Sequence, residues 1–257
     1  MSKLSVTIIT FNEEQNIERC LKAVKPVADE IIVVDSFSTD KTKIICQQFN
    51  VKFFEHPFTN YIEQKNLATS YTSYDYVLNV DADEVLSPEL QKCILDEKKN
   101  FHYDAYFVNR LTNYCGQFIY HGGWYPDRKT RLWNKQKGQW SGELIHEDIT
   151  FQDTVKKGSL SGNLLHYSYY SINQHIAQIN RFTDMTALAA FNKGKQSNYL
   201  KILLNPKWKI FRDFILRAGF LDGYYGWLIA KNSAYATFLK YVKLRELWKT
   251  NRNNNKR

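Results

Sequence analysis

The chain has 257 residues, 44% of them hydrophobic and 24% charged, and a formal net charge of +9. That is long enough for one large domain, or a domain with an appendage, to bury a substantial core, and too apolar for a disordered chain. Residues 207–257 hold twelve Lys/Arg against three Asp/Glu, an excess equal to the whole net charge, so a neutral body carries a basic tail. Such a tail suits nucleic acid, an anionic membrane face or an anionic glycolipid. Cys20, Cys46, Cys93 and Cys115 lie far apart with no C-x-x-C pair, which argues against a zinc knuckle or a disulfide framework. Reduced cysteines in a cytosolic protein are the simpler account. The N-terminus passes directly into a strand pattern, so no signal peptide is expected, and no apolar run reaches the roughly 18–20 residues of a membrane span.

Leu4-Ser5-Val6-Thr7-Ile8-Ile9 reads as a first core strand, rich in β-branched residues. Asn12 can cap the following helix, with Ile17, Leu21 and Val24 as its buried stripe, and Pro26 stops it. Glu30-Ile31-Ile32-Val33-Val34-Asp35 is a second strand ending in an acid, followed by the turn Ser36–Asp40. A helix over 40–49 with Ile44, Ile45 and Phe49 inward, a short strand Val51–Phe54, a helix over about 61–73 and a strand Tyr76–Val80 follow. This β-α alternation predicts a mostly parallel sheet with right-handed crossovers. A helix of about 88–99 leads into shorter strands, Asp104–Val108 being the clearest, punctuated by Gly116, Gly122, Gly123, Gly138 and Gly142. Residues 171–193 read as a helix, the remainder as basic helix, and 251–257 as a low-complexity disordered tail.

The apolar run Val77–Val80 ends in Asp81-Ala82-Asp83-Glu84, three carboxylates in four residues. Packed carboxylates repel unless something positive joins them, and a hard divalent cation does so with oxygen ligands. A turn starting at Ala82 brings all three toward one ion and the phosphates it carries. The alternative is an acidic loop capping the helix that Ser87-Pro88-Glu89 begins. Asp35, Asp40, the Asp81 cluster and Thr10-Phe11-Asn12-Glu13-Glu14 all fall at C-terminal strand ends, where open α/β sheets bind ligands. Neither G-x-G-x-x-G nor G-x-x-x-x-G-K-[ST] is present, so a divalent metal is the expected means of holding a diphosphate.

Thr10–Glu14, Val34–Asp40 and Asp81–Glu84, in that order, resemble the nucleotide-sugar half of a family 2 glycosyltransferase. The resemblance implies an α/β GT-A fold, a mostly parallel sheet flanked by helices with a basic helical C-terminal appendage. It implies a catalytic domain over 1–200, with a nucleotide-sugar half (1–100) and an acceptor half (101–200), and the appendage over 201–250. It sets Thr10, Asn12, Glu14 and Asp35 around the base and ribose of a UDP-sugar, Asp81 near the ribose, and Asp83 on Mn²⁺ or Mg²⁺. Gln64-Lys65-Asn66 resembles a region where Lys65 faces the donor, its alternative being an exposed helix lysine. The family's commoner Asp-Asp-Gly-Ser-Thr-Asp is Asp35-Ser36-Phe37-Ser38-Thr39-Asp40 here.

In the second half, Gly123-Trp124-Tyr125-Pro126-Asp127, Arg131-Leu132-Trp133 and Gly142–Asp148 are the candidate acceptor constellation. An inverting transfer needs a carboxylate to take the acceptor hydroxyl proton. The order Arg-x-Trp, Gly, His-Glu resembles the bacterial lipopolysaccharide inner-core β-1,4-glucosyltransferase subgroup. That resemblance implies Glu147 as base, with Asp148 as the alternative, and Trp124, Arg131 and His146 on the acceptor or phosphate side. His166 falls where GT-A enzymes supply a further metal ligand; beside Leu164 and Leu165 it also reads as a core histidine. Phe211–Gly223 resembles the same subgroup and mixes rings with cations, which suits an anionic inner-membrane surface holding a lipid-linked acceptor. The expectation is a cytoplasmic, peripherally membrane-associated glycosyltransferase moving glucose from UDP-glucose to a heptose of a lipid A–core acceptor. Capsule repeats or peptides are alternative acceptors, and nucleic-acid binding by the tail is the reading from another class. No recognisable RNA or DNA module supports the last, so no nucleic-acid partner is expected.

Overall fold

The computed structural model describes residues 2–143, 146–152 and 154–254, with the side chains of Glu143, His146, Asn253 and Asn254 outside that description. Leu4–Thr10 forms β1, almost wholly buried on both faces as a central strand must be. Then come α1 (Ile17–Val24), β2 (Glu30–Asp35), α2 (Thr42–Gln47), β3 (Lys52–Glu55), α3 (Tyr61–Ser70), β4 (Tyr76–Asp81), β5 (Glu84–Leu86) and α4 (Pro88–Glu97). The mixed part follows: β6 (Ala105–Tyr114), β7 (Gln117–Phe118), β8 (Asp127–Asn134), β9 (Gly138–Glu143), β10 (His146–Phe151) and β11 (Lys157–Tyr169). The chain ends in α5 (Ile172–Asn192), α6 (Tyr199–Ile210), a π-helical stretch Phe211–Leu216, a 3₁₀ turn Gly219–Asp222 and α7 (Gly223–Asn254).

The main sheet runs β3-β2-β1-β4-β8-β6-β11-β5, with β7 paired to β6. β3, β2, β1 and β4 are parallel, and β8 joins β4 antiparallel in the register Leu78↔Leu132. β9 and β10 form a separate hairpin. The alternating half follows the sequence reading closely; two local expectations do not hold. α1 starts at Ile17 after Asn16, while Asn12 sits earlier with φ 54° and caps nothing. Of the residues read as inward around α2, Ile45 and Phe49 pack against the core, while Ile44 is exposed and Thr42 and Cys46 are the fully buried positions of this six-residue helix.

The chain divides into two compact units, Met1–Leu111 with Asp127–Tyr167, and Thr112–Pro126 with Ser168–Arg257. In the first, Leu4, Val6, Ile8, Ile17, Leu21 and Val80 form a core with no exposed surface. Each such side chain contributes about 1.5–3 kcal/mol on burial. A second cluster sets Trp133 against Trp140 edge to face, with centroids 5.5 Å apart. In the second unit, Tyr114, Ile119 and Ile229 pack together, and the Tyr114 hydroxyl meets Nδ1 of buried His175 at 2.9 Å. Burial pushes the His175 pKa down to about 4, so this imidazole is neutral and structural. Among the described residues no helix is long and apolar enough to cross a membrane, and the four cysteines are unpaired.

Gly226 lies inside α7, where alanine ordinarily stabilises a helix by about 1 kcal/mol over glycine. A methyl group there would overlap the Gly219 carbonyl oxygen. Gly226→Ala is therefore expected to lower stability by about 1–3 kcal/mol, read as a lower guanidinium midpoint. An unchanged or higher midpoint would show that the two segments have room to separate.

Candidate active site

The site is built within the first unit, at the C-terminal ends of β1, β2 and β4. The loops after β1 and β2 are tied to each other reciprocally. The Asn12 N–H donates to Ser38 Oγ at 2.8 Å, and the Thr39 N–H donates back to Asn12 Oδ1 at 2.9 Å. The Glu14 N–H donates to Asp40 Oδ2 at 3.0 Å, and the Lys41 N–H to Glu14 Oε2 at 3.0 Å. Asp35, fully buried, anchors this loop by accepting from the Ser38 N–H and hydroxyl. Asn12 and Phe37 are both left-handed, with φ 54° and 62°, a conformation a bulky residue adopts only where its surroundings enforce it. Thr10 is buried at the end of β1 with its hydroxyl unpaired among the described residues.

The acidic cluster is parted by a turn at Ala82-Asp83. Glu84, fully buried, accepts from the Asp81 N–H at 3.0 Å, which folds its carboxylate back beside that of Asp81. The positive charge joining these two acids is Arg131 from β8. Its guanidinium donates to Asn79 Oδ1 (3.0 Å), Asp81 Oδ2 (2.8 Å) and Glu84 Oε1 (2.5 Å), and only 4% of it is exposed. Arg110 lies 3.7 Å from Glu84 and is itself paired with Asp127 at 2.7 Å. Burial opposes the Asp81 charge, yet Arg131 and then Lys65 hold its pKa far below the carboxylate range. Burial, opposed by Arg131 and reinforced by the Asp81 charge, leaves the Glu84 pKa raised.

Asp83 points elsewhere. Its Oδ2 lies 3.1 Å from His166 Nε2, and its carbonyl accepts from the Tyr167 N–H, so β11 supports the turn from behind. Among the described residues no group of three or more His, Cys, Asp or Glu could hold a metal ion. Asp83 and His166 do fit as a two-ligand contribution: a carboxylate oxygen and an imidazole nitrogen, both partly open to solvent, are a donor set that Mn²⁺ or Mg²⁺ accepts. Glu13 faces this cluster too. Burial raises its pKa, and the charges of Asp83, Asp40 and Asp81 add to the effect.

α3 contributes three consecutive side chains. Gln64 donates to Ser36 Oγ at 3.1 Å. Asn66 pins the β9–β10 hairpin, donating to the Trp140 carbonyl and accepting from its N–H. Lys65 is 2% exposed and not a surface lysine; its Nζ lies 3.3 Å from Asp81 Oδ1 and 3.3 Å from Glu147 Oε1, with the Trp140 ring 4.6 Å away. Glu147 from β10 thus meets Asp81 at the end of β4 through one ammonium group. Strand alternation turns Asp148 the other way: it is exposed, and its carboxylate accepts from the Ile149 N–H. Trp124 belongs to the second unit, packed edge to face on Tyr114 with centroids 5.8 Å apart. The His146 side chain, and all of Leu144 and Ile145, lie outside the described residues.

Sequence reading did not find Asn79, Arg110 or Trp140, and it included Glu13 in the rim segment without giving it a role. The available signal for Asn79 was a polar residue inside an otherwise apolar β4, since buried amides need partners.

An α/β sheet of this order with an acidic strand end, a buried cation and a facing carboxylate defines a nucleotide-sugar transferase type of architecture, the GT-A fold. The model for glycosyl transferase family 2 matches residues 5–161, and the chain belongs to that family. An uncharacterized glycosyltransferase of Rickettsia bellii is 34% identical over 255 residues, covering 95% of this chain and 87% of that one. The lipopolysaccharide core biosynthesis glycosyltransferase LpsC of Rhizobium meliloti is 26% identical over 253 residues, covering 94% and 91%. Among solved structures, S. aureus TarS 1-349 aligns with a TM-score of 0.47 at 14% identity, covering 97% and 92%. Glucosyl-3-phosphoglycerate synthase of Mycobacterium tuberculosis, in complex with Mn²⁺, UDP and glucosyl-3-phosphoglycerate, aligns with a TM-score of 0.37 at 23% identity, covering 44% of each chain.

Proposed function

We propose that this glycosyltransferase is an inverting, divalent-metal-dependent hexosyltransferase that moves glucose from UDP-glucose to a heptose of a lipid A–core acceptor. The observation that carries the reading is Lys65, which holds a donor-side acid, Asp81, and a candidate base, Glu147, at 3.3 Å each in one buried cradle. Glu147 takes the proton of the acceptor hydroxyl as that oxygen forms a bond to C1 of the sugar; the C1–O bond to the diphosphate breaks and UDP leaves with the electron pair. Lys65 provides a cation on the path between the two. Asp83 and His166 would hold Mn²⁺ or Mg²⁺, which when bound supplies charge neutralisation for the diphosphate. Asp35, Asn12 and Glu14 shape the nucleoside side of the rim, and Arg131 keeps Asp81 ionised and fixes both Asp81 and Glu84 in place. The core-biosynthesis name of the Rhizobium meliloti relative supports an acceptor of that class.

The test is a donor screen, measuring UDP release from each UDP-hexose with and without heptose-containing core acceptor, in Mn²⁺ or in excess chelator. Acceptor-dependent UDP release from UDP-glucose that chelator abolishes is expected, and Asp83→Asn should lower it by about 10²-fold or more. Full turnover in chelator would remove the metal, and release stimulated only by a capsule repeat or a peptide would replace the acceptor.

A further inference from the structure

α6 turns most of its large apolar side chains outward. None of its residues is buried. Leu200, Leu203, Leu204 and Trp208 are 67%, 58%, 56% and 55% exposed, and the π-helical stretch extends the row with Phe211 and Ile215 at 47% and 48%. Their spacing at three and four residues puts them on one side of the helix. The half-buried side is mixed: Ile202, Pro206 and Ile210 share it with Asn205 and with Lys209, which reaches Asp213, 3% exposed, at 2.8 Å. Leu221, Tyr224 and Trp227, also exposed, add to the apolar surface just downstream. A row of this length exceeds the scattered apolar residues normal on a protein surface in water.

Charge identifies the occupant. Between residues 199 and 227 the acids are Asp213 and Asp222, and both are buried. The exposed charges there are all positive: Lys201, Lys207 and Arg217. Lys207 falls within the apolar row itself, where a long stem lets an ammonium reach phosphate headgroups while its neighbours lie deeper. A second copy of the chain would present the same cations to these, since a two-fold contact apposes like with like.

We propose that the Leu200–Ile215 face inserts into the interfacial layer of an anionic bilayer with the helix lying in its plane, so that the second unit is a monotopic membrane anchor. The apolar row provides most of the binding and the cations select anionic lipid. This deepens the proposed function by giving a lipid-linked acceptor its surface, and it rests on that reading for its purpose alone. Its test uses vesicles containing neither acceptor nor nucleotide sugar, so the two readings fail independently.

The experiment is cosedimentation of the full chain with vesicles of phosphatidylcholine, with or without phosphatidylglycerol, at low and high salt. Wild type is expected to bind the anionic vesicles and to retain part of that binding at high salt. The triple variant Leu203→Ser, Leu204→Ser, Trp208→Ser should lose about 100-fold in partitioning or more at either salt. Lys201→Gln with Lys207→Gln should lose about tenfold, on anionic vesicles at low salt only. Quenching of tryptophan emission by brominated lipid, reduced in Trp208→Phe, reads insertion in a variant whose fold is conserved. Absence of wild-type binding, or a triple variant that binds like wild type, overturns the proposal. So does a lipid-free dimer in sedimentation velocity that the triple variant dissociates, combined with no vesicle binding.

Discussion

Glu147→Gln is expected to lower the rate of sugar transfer by about 10²–10⁴-fold while UDP-sugar affinity changes little. Glutamine has nearly the shape of glutamate and retains an oxygen for the Lys65 ammonium, so the cradle of Lys65, Asp81 and Trp140 keeps its geometry. What is lost is the capacity to take a proton, and that loss falls on the chemical step rather than on donor binding. Single-turnover transfer and donor calorimetry on the same protein separate the two. Asp148→Asn is the control: its side chain is exposed on the opposite face of β10 and accepts from the neighbouring Ile149 N–H, so its rate should stay near wild type. A dead Asp148→Asn beside an active Glu147→Gln would move the base by one residue.

Arg131→Met is expected to cost about 3–5 kcal/mol of stability, because it leaves two acids at the end of β4 without their shared counter-charge. The pH dependence has a definite sign. In the wild type the depressed Asp81 pKa contributes stability that is present above the unfolded carboxylate pKa and is lost as pH falls through the lower folded value. In the variant, Glu84, whose pKa is already raised by burial, takes up a proton as the medium is acidified, so the deficit against wild type narrows. Denaturant midpoints of both proteins at neutral and acidic pH measure this. Arg131→Lys should not restore the midpoint, since one ammonium cannot reach Asn79, Asp81 and Glu84 as the planar fork does. Equal midpoints for Arg131→Met and wild type would show that the acids find other partners.

The parallel half was legible in the sequence because its strands are buried on both faces, so Leu4–Thr10, Glu30–Asp35 and Tyr76–Asp81 are largely apolar, β-branched-rich runs ending in polar residues. The acidic cluster was legible as a site for positive charge. The identity of that charge was not, because Arg131 is fifty residues further on and reaches Asp81 only through the antiparallel docking of β8 on β4. Sequence periodicity carries no information about which strands become neighbours. Lys65 was ambiguous for a similar reason: the ring of Trp140, on a distant hairpin in a different sheet, helps to bury it. The mixture of rings and cations was visible over Phe211–Gly223, but the outward apolar row of α6 just before it was not, because its orientation depends on packing that no helical period encodes.

The reciprocal bonds between the loops after β1 and β2 bear on how a nucleotide is met. Holding a residue's backbone in one conformation costs about 1–2 kcal/mol in lost disorder. Folding has already met that cost at Asn12, Phe37 and Thr39, including two left-handed residues that a free loop would seldom sample. Under the proposed function, an arriving nucleoside would therefore encounter a rim whose shape is set beforehand, and discrimination at this edge would be by exclusion, as in a mould, with little adaptation to a base of different outline.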